Sequence, residues 1–355
     1  RIRVQSPEQT PIGSGSEGIM WFVEGRGQGV GATLGWGQGS GFAVTQMSGT
    51  AVYYAGVTGL MATQIAFTFS LDVDAGSTIS IVPPAGFLLT CSVEGSMKTI
   101  SLPGGRPNCI DDPLQLQLQE PLTRGTYAFA ITADLPPQTP EVNTFNIIIQ
   151  DQYNKVVDSA YGVIGEEIVN IGAESPTLAW SRADPGQPTM VTVGITFTED
   201  TSNLQALLIM LPDNFQHDVQ IPIDVQNLNS RFPLAPGVEW ADTSESNRIK
   251  INLDDAEDVT TIPADTYRFS FPVLMPPDVP RRNIWFLALC SDRSCRQPSD
   301  RQVVVSFPIA GFALYEIAPA ALKVAASGAE RRRPLSGHTF VLSLLALLLS
   351  YVLQP

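Results

Sequence analysis

Four carboxylates fall within five positions at Asp254, Asp255, Glu257 and Asp258, and two further pairs, Asp72 with Asp74 and Glu199 with Asp200, stand just past two stretches of similar sequence. Calcium is held by roughly six to eight oxygen ligands, which loop carboxylates and carbonyls supply. Asp72, Asp74, Glu199, Asp200, Asp254 and Asp255 are therefore the residues expected to hold a metal, with calcium as the ion. Without one, the same groups are solvated turn carboxylates. No other cofactor is expected.

The remaining chemistry-bearing residue types are sparse. The chain has two histidines, His217 and His338. No Gly-x-Ser-x-Gly presents a nucleophile to either, so no catalytic residue is expected and the chain reads as non-enzymatic. Gly25 to Gly41 holds eight glycines in seventeen residues. It has neither Gly-x-Gly-x-x-Gly nor a Gly-Lys-Ser/Thr ending to cradle a phosphate, and a loop or linker is the expected role. Trp180 and Trp285, with Phe145 and Phe269, lie among apolar residues and are expected in a core. Trp240, between Glu239 and Asp242, is the aromatic best suited to stack on a sugar. The four cysteines form two close pairs, Cys91 with Cys109 and Cys290 with Cys295. An even number in local pairs points to two disulfides in an oxidising compartment, with four reduced thiols as the alternative.

These residues are carried on a pattern that repeats with a shift of about 130 to 140 positions. Ile65-Ala66-Phe67-Thr68-Phe69 answers Val193-Gly194-Ile195-Thr196-Phe197, and Ile81-Val82-Pro83 with Gly86-Phe87 answers Met210-Leu211-Pro212 with Asn214-Phe215. Gly125-Thr126-Tyr127-Ala128-Phe129 answers Asp265-Thr266-Tyr267-Arg268-Phe269, Leu135-Pro136-Pro137 answers Met275-Pro276-Pro277, and Asn143-Thr144-Phe145 answers Asn283-Ile284-Trp285. Within each copy the period is two: Leu114, Leu116 and Leu118 alternate with glutamines, and Ile249, Ile251 and Leu253 alternate with Lys250 and Asn252. Such half-buried strands, separated by Pro, Gly, Asn and Asp clusters, make an antiparallel β-sandwich.

The two copies resemble immunoglobulin-like and fibronectin type III-like repeats over residues 42 to 315. The resemblance implies that Tyr127 and Tyr267 are tyrosine corners, and that the chain is a modular surface or adhesion-type protein. Gly18-Ile19-Met20-Trp21-Phe22-Val23-Glu24 reads like the last strand of a further, upstream copy.

The C-terminus follows another grammar. Small residues around Ser327 precede Arg331 to Arg333, and the apolar run Thr339 to Leu353 follows. That order matches a GPI-attachment signal, with Ser327 as the lipid-attachment residue. The fifteen residues of that run would make a helix of about 22 Å, short of the roughly 30 Å hydrocarbon core. Tail anchoring with a cytosolic domain is the alternative, since it places the arginines on the positive-inside side. A net charge of −14, with no Lys/Arg cluster outside Arg331 to Arg333, excludes nucleic acid as a partner.

The expectation is thus an all-β chain of two tandem antiparallel Ig-like sandwiches plus a C-terminal hydrophobic helix. Residues 1–41 end an upstream repeat and a Gly-rich linker, 42–170 and 171–315 are the repeats, 316–338 a stalk and polar spacer, and 339–353 the tail. The expected partners are the membrane, through that tail, and other surface proteins or glycans; the expected location is the cell surface. The alternatives are a spacer and anchor for a larger surface hydrolase or carbohydrate-binding protein, and a tail-anchored intracellular scaffold.

Overall fold

The computed structural model describes the backbone of residues 20–26 and 33–40, and residues 47–72, 76–217, 225–229, 231–233, 241–253 and 261–316 with their side chains. Among these residues the chain is all-β, with antiparallel sheets and no helix. The hydrophobic tail and Ser327 lie outside the described residues.

Strands β1 (Met20–Arg26) and β2 (Thr33–Ser40) form a hairpin. Part of the glycine-rich stretch is therefore a paired strand rather than a linker. Glycine lacks a side chain to pack but keeps its N–H and C=O for the ladder, and β1 supplies a partner for both.

The first repeat runs through β3 (Ser48–Tyr54), β4 (Thr63–Leu71), β5 (Gly76–Val82), β6 (Leu88–Thr90), β7 (Met97–Lys98), β8 (Asn108–Asp111), β9 (Leu114–Leu122), β10 (Gly125–Asp134), β11 (Thr144–Gln150) and β12 (Val156–Ile164). One sheet has the order β3-β4-β10-β6, with β7 also on β10; the other has the order β12-β11-β5-β9-β8. The second repeat runs through β13 (Thr177–Trp180), β14 (Pro188–Thr196), β15 (Thr201–Ser202), β16 (Ala206–Met210), β17 (Gln226–Asn227), β18 (Ala241–Asp242), β19 (Arg248–Asn252), β20 (Thr261–Ile262), β21 (Thr266–Leu274), β22 (Ile284–Cys290) and β23 (Val303–Ala310). Its sheets, β13-β14-β21-β17 and β18-β19-β16-β22-β23, repeat the order of the first pair, with one strand where β6 and β7 both pair β10 and a small β15-β20 ladder added.

Strand pairing corrects the alignment of the copies in two places. Tyr127 stands opposite Phe69, whereas Tyr267 stands opposite Ile195. Phe69 therefore matches Ile195, two positions away from the match read by eye. Val82 pairs with Asn146 as Met210 pairs with Phe286, which puts Pro84, not Pro83, at the place of Pro212. The turn that follows confirms it, because Gly86 (φ 88°) and Asn214 (φ 68°) then share one left-handed position, which only Gly and Asn adopt readily.

Each sandwich closes over aromatic side chains. Phe67 stacks on Phe129 at 5.2 Å, and Phe87 meets Phe145 edge-on at 5.4 Å. In the second repeat Trp285 takes the place of Phe145, touching Phe215 at 5.2 Å. Trp285 is fully buried, and its indole N–H has no partner among the described residues. Trp285→Ala should destabilise the protein by about 3–5 kcal/mol in urea melts, as large core truncations do. Trp285→Phe should cost far less, because it also removes an unpaired buried donor.

Candidate functional site

Both tyrosines implied by the immunoglobulin resemblance bond back across their turns. Tyr127 donates its hydroxyl to Thr123 O at 2.9 Å, and Tyr267 donates to Pro263 O at 2.8 Å, each four residues upstream. The phenol ties the chain entering β10 or β21 to the strand itself while its ring faces the core.

Cys91 pairs with Cys109 and Cys290 with Cys295, with Cα–Cα distances of 5.9 and 6.3 Å. A polar knot surrounds the first bridge. Asp111 accepts bonds from Cys91 N at 2.8 Å and Ser92 N at 3.1 Å, and from the Ser92 hydroxyl. Arg106 donates to the carbonyls of Cys91 and Ser92 at 3.0 and 3.3 Å. Partial burial raises the Asp111 pKa, but the bonds from Cys91 and Ser92 outweigh it and hold the carboxyl below its usual range. The second bridge anchors the β22–β23 connection over the outer face of its sheet, where Ala206, Leu208, Ala288, Cys290 and Cys295 form a small core.

Of the expected metal ligands, Asp74, Asp254 and Asp255 lie outside the described residues. Asp200 spends one carboxylate oxygen on Ala264 N at 2.8 Å, and the backbone carbonyl of Asp72 accepts from Arg124. Among the described residues the only triad of potential ligand atoms is Cys91, Cys109 and Asp111, and its two sulfurs are already joined to each other. Trp240 also lies outside the described residues. Trp180, Trp285, Phe145 and Phe269 are core residues. His217 is 3% exposed, with Nε2 between the carbonyls of Glu245 and Arg248 at 2.6 and 3.2 Å, so its imidazole fastens two turns together.

The feature that sequence reasoning missed is the junction between the repeats. Each sandwich keeps its own core, and the first reaches into the second: Ala55 and Val57, from the first repeat, are buried in the core of the second, and Leu60 packs against both. The connecting chain runs beside the end of β3, where Val169 N donates to Gly56 O at 2.8 Å and Thr58 N to Val169 O at 2.9 Å. A Cβ on Gly56 would stand 1.8 Å from Glu167 O. Next to this seam Tyr54, 1% exposed, donates to Glu166 O at 2.7 Å. Burial pushes its pKa up to about 12, partly offset by the bond to Asn143.

Beyond the seam, the outer face of the β3-β4-β10 sheet lies on the second repeat. Ala66, Ala128, Ala130 and Tyr53 meet Ile284, Phe286 and Ala310, and the Tyr53 and Phe286 rings pack edge-on at 5.2 Å. Arg282 donates to Gly49 O at 3.2 Å, and Arg281 sits 5.8 Å over the Tyr127 ring and reaches Thr126 O at 3.4 Å. A cleft of about 530 Å³ opens between the repeats, lined among others by Thr63, Gln64, Lys98, Ser175, Trp180 and Glu316. It offers hydroxyls, an amide, an ammonium and a carboxylate, and no histidine or cysteine lines it. The signal for the junction was present in β4 and β10, where the residues between the large apolar ones are the small Ala66, Ala128 and Ala130, and β4 is buried on both faces.

No protein-family model matches the chain, and no curated protein matches it. Solved structures similar to it include a protein of Corynebacterium diphtheriae named as membrane anchored, at 9% identity and a TM-score of 0.24, covering 81% of this chain and 67% of that one. The full-length major pilin SpaD of the same organism gives 10% identity and a TM-score of 0.23, with this chain spanning only 58% of its length and matching over 66% of its own. The B domain of a biofilm-associated protein gives 8% identity and a TM-score of 0.20, covering 77% of this chain and 84% of that one. TM-scores this low establish no shared fold.

Two outcomes follow from the seam and the knot. Gly56→Ala should destabilise the protein by about 1–3 kcal/mol, as overpacking does, and should split a single urea transition into two as the repeats uncouple. The Asp111 pKa is depressed in the folded chain, so its contribution is complete above the unfolded value of about 4 and is lost as pH falls through the lower folded value. Hydrogen-exchange protection factors at Cys91 and Ser92 should therefore drop in strong acid, and Asp111→Asn should remove that step.

Proposed function

We propose that this chain is a non-enzymatic cell-surface spacer, attached to the membrane through a lipid at Ser327 after removal of the apolar tail, and that it holds other surface proteins or glycans at a set distance from the bilayer. The observation that carries the reading is the junction. The insertion of Ala55 and Val57 into the second core, a backbone seam and two arginine clamps join the sandwiches into one stiff body, which suits a stalk and needs no reactive group. His217 serves the same end through Nε2, which meets the backbone carbonyls of Glu245 and Arg248.

The two disulfides favour an oxidising exterior over a tail-anchored intracellular scaffold, where such bonds are kept reduced. The order of small residues, polar spacer and apolar run at the C-terminus supports lipid attachment over a spanning helix. Intact expressing cells should release the protein when treated with a phosphatidylinositol-specific phospholipase, and mass spectrometry should find its new C-terminus at Ser327 or a small neighbour. Retention, with residues 331–355 still attached, would replace this reading with a membrane-embedded tail.

A further inference from the structure

The two repeats use matching faces differently. In the second repeat, the start of β22 and the end of β23 are covered by the first repeat: Ile284 is 4% exposed, Phe286 and Ala310 pack beside it, and Arg282 clamps Gly49 O. The matching positions of the first repeat follow from pairing. Ile164 stands opposite Thr144 as Ala310 stands opposite Ile284, and Val82 stands opposite Asn146 as Met210 stands opposite Phe286. The two frames are also locked alike. Asn143 donates to Glu166 O and accepts from Gly165 N, while Asn283 donates to Phe312 O and accepts from Gly311 N. Val142 therefore stands at the place of Arg282, and Glu141 at the place of Arg281.

At this end the first repeat is bare among the described residues and apolar. Val82 is 50% exposed, Val142 69% and Ile164 80%. Val82 and Val142 border a groove of about 550 Å³ whose walls include Pro83, Pro84, Pro136 and Pro137. In the second repeat an equivalent end is an interface; in the first it is uncovered.

The β1–β2 hairpin says what belongs there. Met20 pairs with Ser40 and Trp21 with Gly39; Thr144 pairs with Ile164 and Phe145 with Val163. The spacings are identical, and Gly41 follows β2 as Gly165 follows β12. Residues 20–40 thus share the open-end register of the β11–β12 hairpin, directly before a repeat, and depart from it only further in, where Val23 pairs with Gly37 but Ile147 with Ala160.

We propose that the Val82, Val142 and Ile164 end of the first repeat is the docking surface for a preceding sandwich repeat of the same kind, which ends in the β1–β2 hairpin and lays a small-residue sheet face there, as β4 and β10 do on the second repeat. The array has a direction. The second repeat's own β14–β21 face carries Thr192 and Ser270, hydrogen-bonded to each other at 2.6 Å, where the first repeat has Ala66 and Ala130, and it carries Arg268 where the first has Ala128. That polar face closes the array on the C-terminal side. Glu141, exposed where Arg281 would clamp, calls for a cation or N–H donors on the preceding repeat.

The test uses two proteins. In the natural polypeptide expressed from its own gene, a photo-crosslinking residue at position 142 or 164 should capture a peptide N-terminal to Met20. In residues 1–355, Val142→Lys with Ile164→Lys should leave the melting temperature and monomeric state unchanged, because exposed side chains there cover nothing. A natural chain with no sandwich before Met20, or crosslinks only to residues 1–46, to another protein or to a second copy, would overturn the proposal. So would a fall in melting temperature of the 355-residue variant. None of these outcomes bears on how the C-terminus is held.

Discussion

One sheet of this protein is buried from both sides. The inward side chains of β4 and β10, Phe67, Phe69 and Phe129 among them, fill the first core, while their outward neighbours Ala66, Ala128 and Ala130 are pressed against Ile284, Phe286 and Ala310. Water is excluded from both faces, so every residue there must be apolar or find a partner, and the approach is close enough to favour alanine. The seam at Gly56, the arginine clamps and the insertion of Ala55 and Val57 into the second core all follow from holding that contact in register. A sandwich that merely followed another on a tether would carry polar residues at those positions, as the second repeat does with Thr192 and Ser270.

Much of the fold was legible because its signals are local. Glutamines alternating with leucines in β9 announce one dry face. The Thr-Tyr pairs that open β10 and β21 announce the corner bonds that the structure holds at 2.9 and 2.8 Å. Cysteines eighteen and five positions apart announce local bridges. What was hidden depends on contacts between distant segments. The two-residue displacement between Phe69 and Ile195 cannot be seen along a strand, because a shift of two keeps every side chain on its face and leaves the alternation intact. The Asn143–Gly165 and Asn283–Gly311 locks span different loop lengths, so a fixed shift does not align their glycines.

Part of the glycine-rich stretch is a paired strand for an instructive reason. Composition argues that a chain so poor in side chains cannot be held by packing, and β2 is instead paired by its backbone with β1. Acidic residues raise a different point. Counting carboxylates along the sequence ignores what each oxygen already serves, and Asp200 and Asp111 are both occupied by main-chain N–H groups. In a chain of net charge −14, carboxylates spent on capping loops are a means of satisfying the backbone at the ends of strands.

The differences between the copies carry the functional meaning that their likeness cannot. Both have the same sheets, corner and Asn–Gly lock, so these belong to folding. They diverge on the outer face of the five-stranded sheet. In the second repeat the Cys290–Cys295 loop and the first repeat cover it, and its residues are Leu208, Ala288, Ile284 and Phe286. In the first repeat the corresponding rows are Gln115, Ser80 and Ile148, then Gln117, Thr78 and Gln150, a face without a charged side chain in a strongly acidic protein. Covering such a face would require a hydrogen-bond partner for each amide and hydroxyl, whereas water supplies those partners freely. The first repeat therefore keeps this broad surface wet and leaves Val82, Val142 and Ile164 exposed at one end, where the second repeat is covered. A stack built this way gains stiffness at its junctions and leaves its flanks soluble, and the two requirements are met on different parts of one sheet.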